Sequence, residues 1–107
     1  MIYESDIEEL LVKGIEKLGG VCLKMGQDGW PDRIAALPNG VTVWVELKRP
    51  DGRVAGLQKW RRAQLLRIGH RVETPKSKED VKRLLDNLNP SRTGMRASVS
   101  DFGGIPV

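Results

Sequence analysis

The chain has 107 residues, 39% hydrophobic and 30% charged, which suits one modest core and excludes two independent domains. Eighteen Lys and Arg against fourteen Asp and Glu leave a formal charge of +4, which permits a phosphate-bearing partner without requiring one. The one cysteine, Cys22, excludes an internal disulfide framework and a cysteine-built zinc site, and no apolar run approaches the ~20 residues of a membrane span.

The acidic N-terminus, Met1 to Asp6, lacks the apolar stretch of a secretory signal. A helix is predicted from Ser5 to Leu18, because Ile7, Leu10, Leu11, Gly14, Ile15 and Leu18 repeat with helical spacing before Gly19-Gly20 ends the run. Val21 to Met25 is a predicted strand, Gly26 to Pro31 a loop, and Arg33 to Leu37 a second strand. Pro38-Asn39-Gly40 makes a hairpin turn into the clearest strand, Val41 to Lys48. There Val41, Val43, Val45 and Leu47 take one face and Thr42, Trp44, Glu46 and Lys48 the other. Arg49 to Arg53 breaks the pattern. A helix follows from about Leu57 to Ile68, with Leu57, Trp60, Leu65 and Ile68 expected in the core and a base-stacking platform as the other reading of Trp60. Gly69 ends it, and His70 is read as a residue of its C-terminal cap. Arg71 to Thr74 is a short strand. Ser77 with Asp80 reads as a capping box for a last amphipathic helix carrying Val81, Leu84, Leu85 and Leu88. The order α-β-β-β-α-β-α implies an α/β fold with a mixed sheet flanked by helices, antiparallel at the hairpin and parallel after the crossover helix. Composition turns small and polar near Asn89-Pro90, so residues 1–88 are expected to fold and 89–107 to form a tail.

Several carboxylates stand where solvent is not expected. On the first helix Glu4 falls within the arc of Ile7, Leu11, Ile15 and Leu18, and Glu8 lies at its edge. A carboxylate turned to a core needs a cation, which a metal can supply; Glu4 could equally favour the positive end of the helix dipole. Glu46 and Lys48 share a strand face, and Asp32 lies across the short hairpin from Glu46. Two carboxylates and a lysine on one hairpin face suit a hard divalent cation. The same residues on a solvated strand face would simply pair with neighbours.

Pro31-Asp32, thirteen residues of strand-turn-strand and then Glu46-Leu47-Lys48 resemble the PD-(D/E)XK nuclease signature. Within that superfamily the chain is similar to a stand-alone VRR-NUC domain of phage and bacterial type. The matching stretches are Glu4 to Glu8, Gly29 to Arg33, Val45 to Lys48, and Gln58. The resemblance covers about residues 3–82 and leaves the tail without a counterpart. It implies a restriction-endonuclease-like core with Asp32 and Glu46 as ligands of catalytic Mg2+ or Mn2+, and Leu47 contributing its backbone carbonyl. Lys48 would position the attacking water, a glutamate of the first helix (Glu4 or Glu8) would complete the site, and Gln58 would assist beside it.

The activity so implied is metal-dependent hydrolysis of DNA phosphodiesters. Relatives that stand alone point to Holliday-junction or other branched DNA, and cutting two strands favours a homodimer. The rival readings are a sequence-specific restriction-type nuclease and a non-catalytic DNA-binding subunit with the same fold. Arg62, Lys59, Arg53 and Arg33 are the candidate DNA contacts; Arg62 shares a helix face with Gln58. Trp30, in a Gly/Pro loop beside Asp32, could pack or touch nucleic acid. The expected location is the cytoplasm of a bacterial or phage-infected cell.

Overall fold

The computed structural model describes residues 4–47 and 56–89, apart from the side chain of Glu4. Lys48 to Ala55 and the predicted tail beyond Asn89 lie outside the described residues. Helix α1 (Glu4–Lys17) leads into β1 (Val21–Lys24), β2 (Arg33–Leu37) and β3 (Val41–Val45). Helix α2 (Gly56–Arg67), the short strand β4 (Val72–Glu73) and helix α3 (Lys78–Leu88) complete the order. The four strands form one sheet in the order β1-β2-β3-β4.

Local chemistry explains the joints. Gly20 N–H reaches back to the Ile15 carbonyl at 2.9 Å while Gly19 sits at φ +90°, so α1 stops in a left-handed turn open to glycine. Asn39 and Gly40 both carry positive φ, 68° and 74°, in the turn that joins β2 to β3. Those two strands pair antiparallel from Leu37↔Val41 to Arg33↔Val45. β4 pairs parallel with β3, as the crossover through α2 requires. β3 ends at Val45, short of the expected Lys48. The ladder nonetheless runs one residue further, because Glu46 N–H donates to the Glu73 carbonyl at 2.9 Å.

Ile7, Leu11 and Ile15 of α1 and Val81, Leu84 and Leu88 of α3 close over Ala35, Leu37, Val43, Val45 and Leu47. That is the core, on one face of the sheet. Alternation puts Trp44 and Glu46 on the other face, and α2 covers them there. Of the α2 and adjoining residues expected inside, only Leu65 is buried; Leu57, Trp60 and Ile68 are each more than half exposed. That reading is corrected: α2 rests on the sheet largely through arginines and aromatic rings, not an apolar stripe. His70 does serve the α2 cap, through its N–H to the Leu65 carbonyl at 2.9 Å.

Candidate active site

The β2–β3 hairpin sets the site. Arg33 pairs with Val45, so the residues just beyond that rung, Asp32 and Glu46, are neighbours at one end of the sheet. The Asp32 carboxylate accepts the Leu47 N–H at 2.7 Å, which ties the start of β2 to the residue after Glu46. Burial raises the Asp32 carboxyl above its ordinary 3.8; the Leu47 N–H pulls it back, nearby Glu8 pushes it up, and Gln58 and Arg33 lower it again. Its negative charge is therefore only partly compensated by the protein.

Glu46 is 1% exposed. Its backbone is held by β4, and the Arg62 guanidinium reaches to 4.0 Å from its Oε2. A carboxylate this deep is costly without positive charge nearby, and Arg62 is turned inward to provide some. Arg62, a predicted DNA contact, lies near a site carboxylate with 27% of its side chain still exposed.

An open cleft of about 670 Å³ lies beside this end of the sheet; Glu8, Trp30, Asp32, Leu47 and Gln58 are among its walls. Gln58 enters from the first turn of α2 and donates to the Trp30 carbonyl at 3.2 Å. Gly29 lets the loop close in: it has φ +83°, and a Cβ there would collide with the Leu57 side chain. Glu8 comes from the second turn of α1 and accepts Arg33 Nε at 2.8 Å. Arg33 also donates to the Cys22 carbonyl at 3.3 Å. Arg33, a predicted DNA contact, is placed against Glu8 at the cleft wall.

The structure thus gathers Asp32, Glu8, Gln58 and Leu47 in one cleft, with buried Glu46 next to Asp32 along the hairpin. Lys59 is exposed on α2. Lys48 and Arg53 lie outside the described residues, as does the Glu4 side chain, although Glu4 itself opens α1. Among the described residues no group of three His, Cys, Asp or Glu side chains stands ready to hold a metal ion.

Three features escaped the sequence reading: the Glu8–Arg33 pair, the Leu47 N–H to Asp32 bond, and a set of stacked rings. Trp30 packs on Trp44 with ring centres 5.4 Å apart, and the Arg61 guanidinium lies 4.2 Å from the centre of Trp30. The pair had one signal, since alternation places Arg33 with Ala35 and Leu37 on the face toward α1, where a cation needs an acid.

No family model matches the chain. Over 92 residues it is 37% identical to a protein of Acyrthosiphon pisum secondary endosymbiont phage 1 named "Putative nuclease p44", covering 83% of this chain and 98% of that protein. Its fold is similar to that of a solved structure described as a VRR_NUC domain, with a TM-score of 0.73 and 26% identity over 79% of this chain and 96% of the other. The mixed sheet flanked by helices is the restriction-endonuclease-like architecture of that match. A relative matched over nearly its whole length and a shared fold lead to one conclusion: the chain belongs to the VRR_NUC-domain nuclease family.

Proposed function

We propose that this protein is a divalent-metal-dependent endonuclease of the PD-(D/E)XK type that hydrolyses DNA phosphodiester bonds. One observation carries the reading. A half-buried Asp32 with under-compensated charge adjoins a fully buried Glu46 at one end of a hairpin, and a third carboxylate, Glu8, shares the cleft. Carboxylates perturbed by burial and gathered at a cleft mark a functional site, and a bound cation is the partner their chemistry suits.

The donor chemistry fits Mg2+ or Mn2+. Such ions take hard oxygens and commonly use one or two protein carboxylates, with water and substrate phosphate filling the other positions. Asp32, Glu46 and the Leu47 carbonyl, with Glu8 or Glu4, are the residues that would hold the ion. When bound, a divalent cation would draw charge from a phosphate oxygen and make water a stronger nucleophile at neutral pH.

The remaining work falls to the chain. The Leu47 N–H and Gln58 fix Asp32, Arg62 offsets Glu46, and Arg33 holds Glu8 at the cleft wall. Lys48 orients the attacking water and offsets charge that grows on the phosphate. Lys59 and Arg53 hold flanking phosphates. One site per chain calls for a two-fold homodimer when two strands of a junction or branched DNA are cut. The cytoplasm of a bacterial or phage-infected cell is the setting.

The test is a gel assay with four-way junction, flap, single-stranded and linear duplex DNA in Mg2+, Mn2+ or EDTA. Asp32→Ala and Glu46→Ala are expected to remove cleavage by roughly 10²–10³-fold or more and to weaken Mn2+ binding in calorimetry. Lys48→Ala is expected to remove cleavage with Mn2+ binding kept. Full activity in any of the three overturns the mechanism.

A further inference from the structure

Trp60 is a large ring left 56% exposed on α2, joined through Arg61 to Trp30, which lines the cleft. Leu57, Leu66 and Ile68 of the same stretch are also exposed, so exposure alone says little; what sets Trp60 apart is the company its ring keeps. Its inner side is organised. The Arg61 guanidinium lies 4.9 Å from the Trp60 ring centre and 4.2 Å from that of Trp30, which in turn packs on Trp44. Arg61 is anchored by a 2.6 Å bond to the Gln64 side chain. The result is a run of flat groups, Trp44–Trp30–Arg61–Trp60, that passes the cleft wall at Trp30 and ends at solvent on α2. Charge points to the occupant of the open end. From Gly52 to Val72 the sequence has no Asp or Glu, and α2 exposes Lys59 and Arg67, with Arg61 and Arg62 half-buried behind them. Such a surface is matched to a polyanion that also has flat apolar faces.

We propose that Trp60 is a stacking platform for an unpaired nucleobase of the substrate, which within the branched class makes DNA with exposed single-stranded bases, such as a flap, preferred over a fully paired four-way junction. The inference rests on the nuclease reading for its polyanion and deepens it by naming what the site reads. Base–aromatic stacking is tolerant of sequence because every base has a π-face, and a neighbouring guanidinium adds cation–π attraction. A base inside an intact duplex has no face to offer, so the platform discriminates by pairing state.

The experiment is fluorescence anisotropy of the full chain in EDTA, with an oligothymidylate of about 16 nucleotides and a fully paired duplex of the same length. Trp60→Ala and Trp60→Leu are expected to weaken single-strand binding by on the order of tenfold, and Trp60→Phe to keep most of it. Duplex binding should change by less than about twofold, since phosphate contacts are untouched. Three results overturn the proposal: no loss in Trp60→Ala, equal loss on both DNAs, or Trp60→Leu binding as well as the wild type. A fourth is a wild-type dimer in sedimentation that Trp60→Ala turns into a monomer with DNA binding unchanged, which would make the ring a protein contact. Binding in EDTA separates this from the catalytic reading. A chain that binds single strands through Trp60 but never cleaves leaves the platform standing, whereas a chain that cleaves and ignores Trp60→Ala defeats the platform alone.

Discussion

Burial disfavours the charge on Asp32. Burial outweighs its hydrogen bonds, so the folded state holds the Asp32 proton more tightly than the ordinary value of 3.8 implies. Ionising it therefore lowers folded-state stability as the pH rises through and above that value. Asp32→Asn keeps the side-chain shape and an acceptor for the Leu47 N–H but removes the charge. In EDTA at neutral pH it is expected to melt higher than the wild type by a few degrees at most, given that about 1 kcal/mol moves a small domain by about 4–8 °C. The same variant should lose cleavage. A lower melting point in calorimetry would mean that the carboxylate stabilises the fold and that no charge is held in reserve there.

At the level of elements, α1 and α3 meet at Gly14, where an added Cβ would run into the Leu85 side chain. Gly14→Ala is expected to destabilise by about 1–3 kcal/mol in urea unfolding, and Leu85→Ala in the same chain to recover part of that loss. Helix α3 is capped as expected, with Asp80 N–H donating to Ser77 Oγ at 3.0 Å. The Asp80 side chain turns back to the Lys76 N–H, and that bond, with Arg83 nearby, lowers its carboxyl below the usual value. Stability from Asp80 is therefore present above 3.8 and fades as the pH falls through the lower folded value. Asp80→Asn should flatten the acid limb of a stability-versus-pH curve, and an unchanged limb would exclude this contribution.

Much of this layer was legible in the residues. Asn39-Gly40 between apolar runs is the hairpin, and the hairpin alone makes Asp32 and Glu46 neighbours. The apolar period of α1 and the Ser77 cap likewise need only local rules. α2 was misread for a physical reason. A helical period in Leu57, Trp60, Leu65 and Ile68 looks like a core stripe, but the sheet face it meets presents Trp44 and Glu46, which are covered by guanidinium groups and a ring. No local pattern reveals what a helix will lie upon. The Glu8–Arg33 pair was hidden likewise, since it depends on where α1 crosses β2.

For the whole molecule, the net charge of +4 understates the asymmetry, because the carboxylate-free stretch from Gly52 to Val72 gathers six Lys and Arg. Arg61 and Arg62 are turned inward, so only part of that charge faces a ligand. DNA affinity is expected to fall with salt on a log–log slope of about −2 to −4, at about 0.9 per neutralised phosphate of duplex. A flat salt response would remove phosphate contact as the source of affinity. Sedimentation of the free protein and of the junction complex tests the proposed homodimer, for which a single-chain mass in the complex is the opposing result.

The bond from the Leu47 amide to the Asp32 carboxylate offers a built-in reporter. An amide proton pointed at a carboxylate resonates where that oxygen's electron density sends it. In a nitrogen-15 spectrum the Leu47 cross-peak should therefore shift when the acid side chain gains a proton and shift again when manganese-free magnesium is titrated in. Occupancy of the proposed metal site becomes readable from the backbone, in a protein that has been given no substrate and performs no turnover.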